Sequence, residues 1–238
     1  MKKWQERAEL LFKASGIEKL SNANVLVVGL GGVGSFAAEF LARAGVGSMT
    51  IVDGDVVDIT NINRQLQALH STIGLHKVDL MEQRLKDINP DLQLTKINEF
   101  LSPERAYELV TGEYDYVLDC IDSITPKINL IKAAKRKKVK IISNMGAGGK
   151  FHASKVMIKD ISKTDYCPLA KTIRKRLKKD GIDKGIKVVY SYEKPDESSI
   201  KTTDGKNYKK SFYGTNSWMP CLFGLHAAEH VVMNLIKN

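Results

Sequence analysis

A glycine-rich run between two apolar segments constrains the fold of this chain more than any other feature. Residues 25–28 have the composition of a buried strand, and residues 35–44 have the spacing of a helix. The run between them contains Gly29, Gly31, Gly32 and Gly34, followed by Ser35. Glycines at a strand-to-helix turn let backbone N–H groups approach a phosphate held at the positive end of the helix dipole. The run therefore predicts a nucleotide on a Rossmann-like sheet, without indicating which one.

Two polar motifs downstream narrow the choice of nucleotide. Asp53 ends the next apolar run, where a carboxylate can accept both hydroxyls of a ribose. Asn61, Asn63, Arg64 and Gln65 follow it. A neutral nicotinamide has no use for an arginine and two amides beyond the ribose. A triphosphate that loses pyrophosphate does, because charge develops on the leaving phosphates. The combination favours ATP.

Strands and helices alternate along most of the chain. Strands are predicted at residues 25–28, 49–52, 92–97, 116–120 and 139–143, and helices at 35–44, 72–88, 102–109 and 126–136. This alternation predicts an α/β fold with a doubly wound, mostly parallel, Rossmann-like sheet. Strands at 155–158 and 187–190 would extend the sheet, with antiparallel pairing as one option. A helix over 222–236 would end it.

We expect one domain over residues 1–238. Residues 1–20 form an N-terminal helical arm with a break at Ser15 and Gly16, and residues 21–150 form the nucleotide-binding core. Residues 151–238 contain the sheet extension, a polar crossover loop at 193–210 that we expect to be mobile, and the C-terminal helix.

Composition adds expectations about partners and compartment. The formal net charge of +10 fits a polyanionic partner, and nucleic acid is the economical choice beside a lipid surface. We expect no integral membrane segment, since no apolar stretch approaches the length that spans a bilayer. Three cysteines, an odd number, without a secretory leader predict reduced thiols in a cytoplasmic protein.

A basic segment at residues 171–179 is the strongest sign of RNA binding. Ile173 and Leu177 lie four residues apart and would anchor a helix whose other faces are cationic. With little acidic compensation, this face suits contacts with a phosphate backbone, although a solvated helix surface is the alternative. The basic residues are Lys171, Arg174, Lys175, Arg176, Lys178 and Lys179.

Taken in order, the motifs resemble those of the ATP-dependent adenylating enzymes of the E1-like (ThiF-type) superfamily. The resemblance rests on the glycine run, Asp53-x-Asp55, Asn61-x-Asn63-Arg64-Gln65, Lys77 and Asp119-x-x-Asp122. A second set resembles the tRNA threonylcarbamoyladenosine dehydratase branch: Cys167-Pro168-Leu169-Ala170, the helix at 174–179, the segment 188–195 and Pro220-x-x-x-Gly224. That branch implies ATP-dependent activation of a threonyl carboxylate. The activation allows the threonylcarbamoyl side chain on adenosine 37 of tRNA to close into a ring.

The resemblance also implies residue roles. Arg64, Lys77 and Asn61 would act on the phosphates, and Asp122 would hold Mg²⁺. Asp55, Asn63 and Gln65 would belong to the ATP site. Arg7 would reach from the arm of one protomer into the ATP site of its partner in a homodimer. These roles have structural alternatives. Arg7 and Arg64 also suit an exposed surface, Lys77 a solvated helix face and Asn61 a turn. Asp122 also suits a helix N-cap, a structural position for which Asp119 or Ser123 is favoured.

The absence of some motifs weighs against other readings. The chain has no Cys-x-x-Cys pairs for zinc, and Cys167 has no adjacent histidine that would lower its pKa, so we predict that Cys167 is not catalytic. Capture of the activated carboxylate by the neighbouring carbamoyl group needs no protein nucleophile. Three alternatives stay open: an activator of a ubiquitin-like sulfur carrier, an NAD-dependent oxidoreductase and a non-catalytic RNA-binding module. A sulfurtransferase partner, and the choice between adenylate and phosphate chemistry, also stay open.

Overall fold

The structure is a computed structural model that describes residues 2–203 and 211–237. The strands are β1 (Asn24–Val28), β2 (Ser48–Val52), β3 (Gln93–Ile97), β4 (Tyr116–Asp119), β5 (Lys140–Asn144), β6 (Val156–Asp160), β7 (Lys187–Ser191), β8 (Ile200–Thr202) and β9 (Ser211–Tyr213). The helices are α1 (Glu6–Asn22), α2 (Gly34–Ala44), α3 (Lys77–Ile88), α4 (Pro103–Leu109), α5 (Ile124–Lys137), α6 (Pro168–Lys179) and α7 (Trp218–Lys237).

Seven strands form one sheet in the order β3-β2-β1-β4-β5-β7-β6. β7 joins β5 in parallel pairing, and β6 pairs antiparallel with β7 at the edge. The predicted doubly wound, mostly parallel sheet with its C-terminal extension is confirmed. The chain moves from β1 to one side through β2 and β3, then returns to add β4 on the other side. Because such a switch point opens a crevice at the carboxyl ends of the strands, the ends of β1 and β4 are where a ligand is expected.

The inner strands β1, β2, β4, β5 and β7 are buried on both faces, which explains why they are apolar runs, whereas the edge strand β3 is largely exposed. Along β1, Val25 and Val27 face the core that α2 and α7 cover, whereas Leu26 and Val28 face the core under α4, α5 and α6. Helix α7 packs closely on α2, and at Gly224 a Cβ would lie only 2.4 Å from the backbone oxygen of Val33. The final helix therefore rests directly on the glycine turn.

Helix α7 is longer than predicted and begins at Trp218. Pro220 is tolerated because it lies in the first turn, where its missing N–H has no intrahelical partner in any case. Within the described residues, α7 alone is long and apolar enough to cross a bilayer, so the expectation that no stretch approaches that length is wrong. Half of it is buried inside the fold, as in the core helix of a globular domain.

Three local predictions also differ from the structure. The arm bends at Lys13, where φ is 65°, and Ser15 and Gly16 are helical. The helix predicted over 72–88 begins at Lys77, because Gly74 has φ 85° and the chain before Lys77 is extended. Within the predicted crossover loop, β8 forms and pairs antiparallel with β9, which begins directly after that loop. Residues 204–210, the rest of that loop, lie outside the described residues.

Candidate active site

The glycine turn leaves one position open and packs the others tightly. Gly29 has φ 91°, and a Cβ there would lie 2.9 Å from the Cys120 backbone oxygen, so the turn passes hard against the end of β4. At Gly34 a Cβ would overlap the backbone of Gly29. At Gly31, within the described residues, a Cβ would meet a single atom, Nε2 of Gln65 at 3.9 Å. Gly31 thus forms a cradle at the start of α2, where backbone N–H groups suit a phosphate.

Asp53 ties the glycine turn to the end of β2. Its Oδ2 accepts a hydrogen bond from the N–H of Leu30 at 2.6 Å, and its Oδ1 accepts one from the N–H of Asp55 at 2.8 Å. Burial raises the pKa of this carboxyl, against the opposing effect of Lys77 and the two N–H donors. A carboxylate oxygen has two lone pairs, so Asp53 can also accept ribose hydroxyls.

Lys77 is a buried cation at the first residue of α3. Its side chain is 5% exposed, and its Nζ lies 3.0 Å from Oδ2 of Asp55, whose side chain is half exposed. The backbone N–H of Lys77 also donates to the Asp55 carbonyl at 3.1 Å. Two contacts therefore fix the lysine at the carboxyl edge of the sheet, with its partner facing solvent.

Arg64 is oriented by its own loop. Its Nη1 donates to the carbonyl of Thr60 and to Oδ1 of Asn63, both at 2.8 Å. Burial lowers the pKa of Arg64, while the charges of Asp122 and Asp58 raise it. A guanidinium stays protonated in either case. The charge of Asp122, in the loop after β4, thus acts on Arg64, in the loop after β2.

Other residues predicted for this site organise its loops. The Ser35 side chain is buried, and its Oγ donates to the Gly31 carbonyl at 2.7 Å and accepts from the N–H of Leu66 at 3.4 Å. Oδ1 of Asn61 accepts from the N–H of Asp58 at 3.2 Å and so caps a short turn, the structural role that the sequence left open.

Three further contacts complete the loop assembly. Nδ2 of Asn63 donates to the Thr215 carbonyl at 2.8 Å and links the loop to the segment before α7. At Gly32 a Cβ would lie 2.9 Å from both the Arg64 backbone oxygen and the Pro220 side chain. Oε1 of Gln65 is buried without a hydrogen-bond partner in the described part of the chain, which a bound ligand could supply.

Asp122 lies on a turn that a buried ion pair supports. The carboxylate of Asp119, at the end of β4, accepts hydrogen bonds from the Nζ of Lys127 at 2.7 Å and from the N–H of Ile121 at 3.1 Å. Lys127 also donates to the Asn144 carbonyl of β5 at 2.9 Å. Both charged side chains are fully buried, in line with the structural role expected for Asp119. Sequence reasoning missed Lys127, because nothing in its local sequence marks it as a buried cation.

The donor set fits magnesium. Within residues 2–203 and 211–237, no group of three His, Cys, Asp or Glu side chains could form a metal cage. Mg²⁺ seldom uses such cages, since it is bound by one or two carboxylates together with substrate phosphates and water. Asp122 supplies one carboxylate, whose charge acts on Arg64. Oδ1 of Asp122 also accepts a hydrogen bond of 3.4 Å from Oγ of Ser123.

Arg7 and Cys167 lie apart from this arrangement. Arg7 is exposed near the start of α1. That arm packs against the opposite edge of the sheet, where Trp4 lies beside Arg43 and Asp87. Cys167 is buried, and its Sγ lies near Gly146 at the end of β5.

The basic helix α6 flanks the site. Leu169 in its first turn contacts Gly146, and Arg176 and Lys179 in its last turns line a cleft of about 460 Å³ with Thr125 and Asn129 of α5. Five of the six basic residues are exposed: Lys171, Lys175, Arg176, Lys178 and Lys179.

Arg174 differs from the other basic residues of α6. Its Nη1 donates to the carbonyls of Thr164 at 3.0 Å and Ile161 at 3.3 Å. These bonds fasten the helix to the preceding loop, so the structure uses this side chain for packing.

The matches to known proteins cover all residues of the candidate site. The model of the ThiF family matches residues 6–236. The chain is 43% identical to the tRNA threonylcarbamoyladenosine dehydratase of Bacillus subtilis over 98% of this chain and 94% of that protein. It is 38% identical to the Escherichia coli protein of the same name, over 99% and 95% of the two chains.

The solved structures agree with the sequence matches. The E. coli dehydratase TcdA in complex with ATP superposes with a TM-score of 0.89 at 33% identity, covering 100% of this chain and 96% of that one. The same protein in complex with AMP gives a TM-score of 0.89 at 34% identity. Because the match spans almost the entire chain at every level of comparison, this protein belongs to the ThiF family, in its tRNA threonylcarbamoyladenosine dehydratase branch.

Proposed function

We propose that this chain is an ATP-dependent tRNA threonylcarbamoyladenosine dehydratase that closes the side chain on adenosine 37 into a ring. One observation carries the proposal. The side chain of Arg64 packs against Gly32, and Gln65 lies beside the open Gly31 cradle. Asp53 joins the glycine turn to Asp55, the partner of Lys77, and the charge of Asp122 acts on Arg64. The full-length relatives named above share this branch.

Each residue at this edge has a role in binding or in charge neutralisation. The N–H groups around Gly31 hold a phosphate at the positive end of α2, and Asp53 accepts the ribose hydroxyls. Arg64 and Lys77 neutralise the charge that develops on the departing phosphates. Asp122 would hold Mg²⁺, which would add to that neutralisation.

ATP supplies the chemistry that activates the threonyl carboxylate. The carboxyl carbon then gains a bond to the carbamoyl group of the same side chain, which gives up a proton, while one carboxylate oxygen leaves bonded to the phosphorus that activated it, as AMP or as inorganic phosphate. The net change is loss of one water from the nucleoside. Intramolecular attack has a large effective molarity, so this route does not require Cys167 as a nucleophile.

We also propose that the enzyme acts as a homodimer. Leu10 and Leu11 of the arm are 73% and 74% exposed, and Trp4 is 43% exposed. A second copy would cover these apolar side chains and place Arg7 against the partner's ATP site. Sedimentation of an active preparation tests this, and an active monomer would exclude the shared site.

The proposed function also indicates the substrate and the cellular compartment. The exposed lysines and Arg176 of α6 bind the phosphate backbone of tRNA, and the reaction takes place in the cytoplasm, where tRNA is modified. A sulfurtransferase is a candidate protein partner, and co-purification from cells would test it.

The deciding experiment uses the purified protein, Mg²⁺-ATP and tRNA that carries threonylcarbamoyladenosine. Digested nucleosides are weighed by mass spectrometry, with ATP-free and Arg64→Ala reactions as controls. ATP-dependent loss of the mass of one water supports the dehydratase. An unchanged mass contradicts it, and ATP–pyrophosphate exchange with a small protein ending in Gly-Gly would then favour the sulfur-carrier activator.

A further inference from the structure

Two large aromatic side chains lie exposed beside the candidate site. Phe151 follows the glycine-containing turn after β5 and is 56% exposed, and Trp218 begins α7 and is 48% exposed. We call this pair the aromatic platform. Neither residue belongs to the motifs that predicted the nucleotide site.

Hydrogen bonds fix the aromatic platform in place. The indole N–H of Trp218 donates to the Phe151 carbonyl at 3.0 Å. Nearby, Nδ2 of Asn216 donates to the Lys150 carbonyl at 2.8 Å, and the N–H of Gly149 donates to the Gly214 carbonyl at 2.8 Å. Because the polar atom of the indole is already bonded, its remaining open surface is the apolar ring, held in a defined orientation.

The aromatic platform is continuous with the nucleotide side of the site. Thr215, three residues before Trp218, accepts the hydrogen bond from Asn63, the neighbour of Arg64. Two residues after Trp218, Pro220 packs where a Cβ of Gly32 would lie. A group held on the aromatic platform therefore lies beside the loops that bind ATP.

Charged residues of both signs lie next to the aromatic platform. Lys194, on the segment that leads into β8, and Lys201, within β8, are both exposed, as are Asp196 and Glu197. The carboxylate of Glu193 accepts hydrogen bonds from the backbone N–H groups of Phe151 and His152. The first turn of the cationic helix α6 contacts Gly146, at the start of the same turn that carries Phe151. Flat aromatic surfaces flanked by cations bind unpaired bases, which stack on the rings while their phosphates meet the lysines.

We propose that Phe151 and Trp218 stack against unpaired nucleobases of the RNA loop that carries the modified adenosine, and so set its position at the site. The inference rests on the proposed function and deepens it, since it assigns substrate-binding residues. An apolar protein surface as the occupant is the alternative that the test excludes.

Fluorescence gives a direct test, because the chain has two tryptophans, Trp4 and Trp218. In the Trp4→Phe variant, emission comes from Trp218 alone. We expect saturable quenching by an RNA stem-loop with an unpaired purine loop, and much weaker quenching by a fully paired RNA hairpin of equal length. The mirror variant Trp218→Phe, which retains Trp4 at the opposite edge of the sheet, should show none. Anisotropy of labelled RNA reports binding independently.

Kinetics give the second readout. Phe151→Ala and Trp218→Ala should each raise the KM for tRNA about 5- to 100-fold, as expected for loss of one stacked base, with the KM for ATP unchanged. Trp218→Phe should restore most of the loss, and Lys86→Ala, which changes an exposed side chain outside the aromatic platform and α6, should behave like the parent. Thermal unfolding of each variant separates loss of fold from loss of binding.

The outcomes separate the two proposals. RNA that binds without quenching, equal quenching by loop and paired RNA, or an unchanged KM for tRNA in Trp218→Ala would overturn the aromatic platform and leave the dehydratase intact. Failure of the parent protein to remove water from the modified nucleoside would overturn the proposed function itself.

Discussion

The two sides of the candidate site are built by different means. On the nucleotide side, short motifs after β1, β2 and β4 bond to one another: Asp53 holds Leu30, Ser35 holds Leu66, and Arg64 is held by its own loop. On the proposed substrate side, α6 presents exposed cations, and Phe151 after β5 and Trp218 at the start of α7 present exposed rings. The nucleotide side thus fixes its functional groups through hydrogen bonds to backbone groups, whereas the substrate side offers a surface.

This difference predicts how the activity of the protein should respond to substitutions on each side. Groups preorganised around developing charge contribute to the rate of reaction. Groups on a surface contribute to binding and to its salt dependence. Variants on the two sides should therefore alter different kinetic parameters, and the buried pair between them should alter stability.

The largest effect is expected at Lys127, which joins the two sides by bonding to Asp119 of β4 and Asn144 of β5. Lys127→Met leaves the Asp119 carboxylate buried and unpaired, so we expect the free energy of unfolding to fall by about 3–5 kcal/mol in urea titrations. The matched control is Lys77→Met, whose partner Asp55 is half exposed, with an expected loss below about 1 kcal/mol. Equal stability losses would show that the buried pair has no special role.

Arg64→Ala should give the largest loss of activity in a folded variant. Removing one preoriented group that stabilises developing charge lowers kcat by about 10²- to 10³-fold, measured as tRNA dehydration at saturating ATP. Arg64→Lys keeps the charge without the planar fork and should recover part of the rate. A normal kcat in Arg64→Ala would move the charge-neutralising role away from the nucleotide side.

Asp122→Asn should have a smaller effect, which depends on the metal. The amide keeps the shape of the side chain and removes its charge, so activity should fall about 100-fold, or about 2.7 kcal/mol, at low Mg²⁺ and recover partly as Mg²⁺ is raised. Titration of the reaction rate with Mg²⁺ measures this shift. A loss that no Mg²⁺ concentration relieves would indicate that Asp122 acts through Arg64 instead.

The smallest effect is expected on the substrate side. The triple change of Lys175, Arg176 and Lys179 to alanine should raise the KM for tRNA about tenfold and reduce the slope of log affinity against log salt by about 0.9 per lost phosphate contact. The KM for ATP should not change. The matched control removes the same charge from the exposed Lys86, Lys140 and Lys159, which lie outside α6. If both triples weaken binding equally, the effect is one of net charge.

The same contrast governs what the sequence could predict. The inner strands were predictable because each is an apolar run buried on both faces, and the nucleotide motifs were predictable because their residues lie close together in sequence. Asp119 was expected as a structural residue at the start of a helix, but it forms a buried ion pair instead. Its partner Lys127 could not be found, since that pair depends on how β5 lies beside β4. Arg174 was assigned to RNA from charge alone, and packing assigned it to the carbonyls of Thr164 and Ile161.

Local geometry explains the remaining differences. Gly74 adopts a left-handed conformation that delays α3 until Lys77, a choice that an apolar spacing pattern does not record. β8 and β9 have three residues each, too short for a periodic signal. The aromatic platform is assembled from residues more than sixty positions apart, so it became visible only in the folded chain.

The close fit of Gly224 against Val33 also affects the order in which the parts of the site can form during synthesis. The glycine turn emerges from the ribosome early, whereas the helix that packs on it is translated after most of the sequence. A nascent chain can form β1, β2 and their motifs long before α7 supports the start of α2. The capacity to bind ATP is therefore expected to be gained late. A chain that is interrupted before α7 is not expected to hold ATP without turning it over.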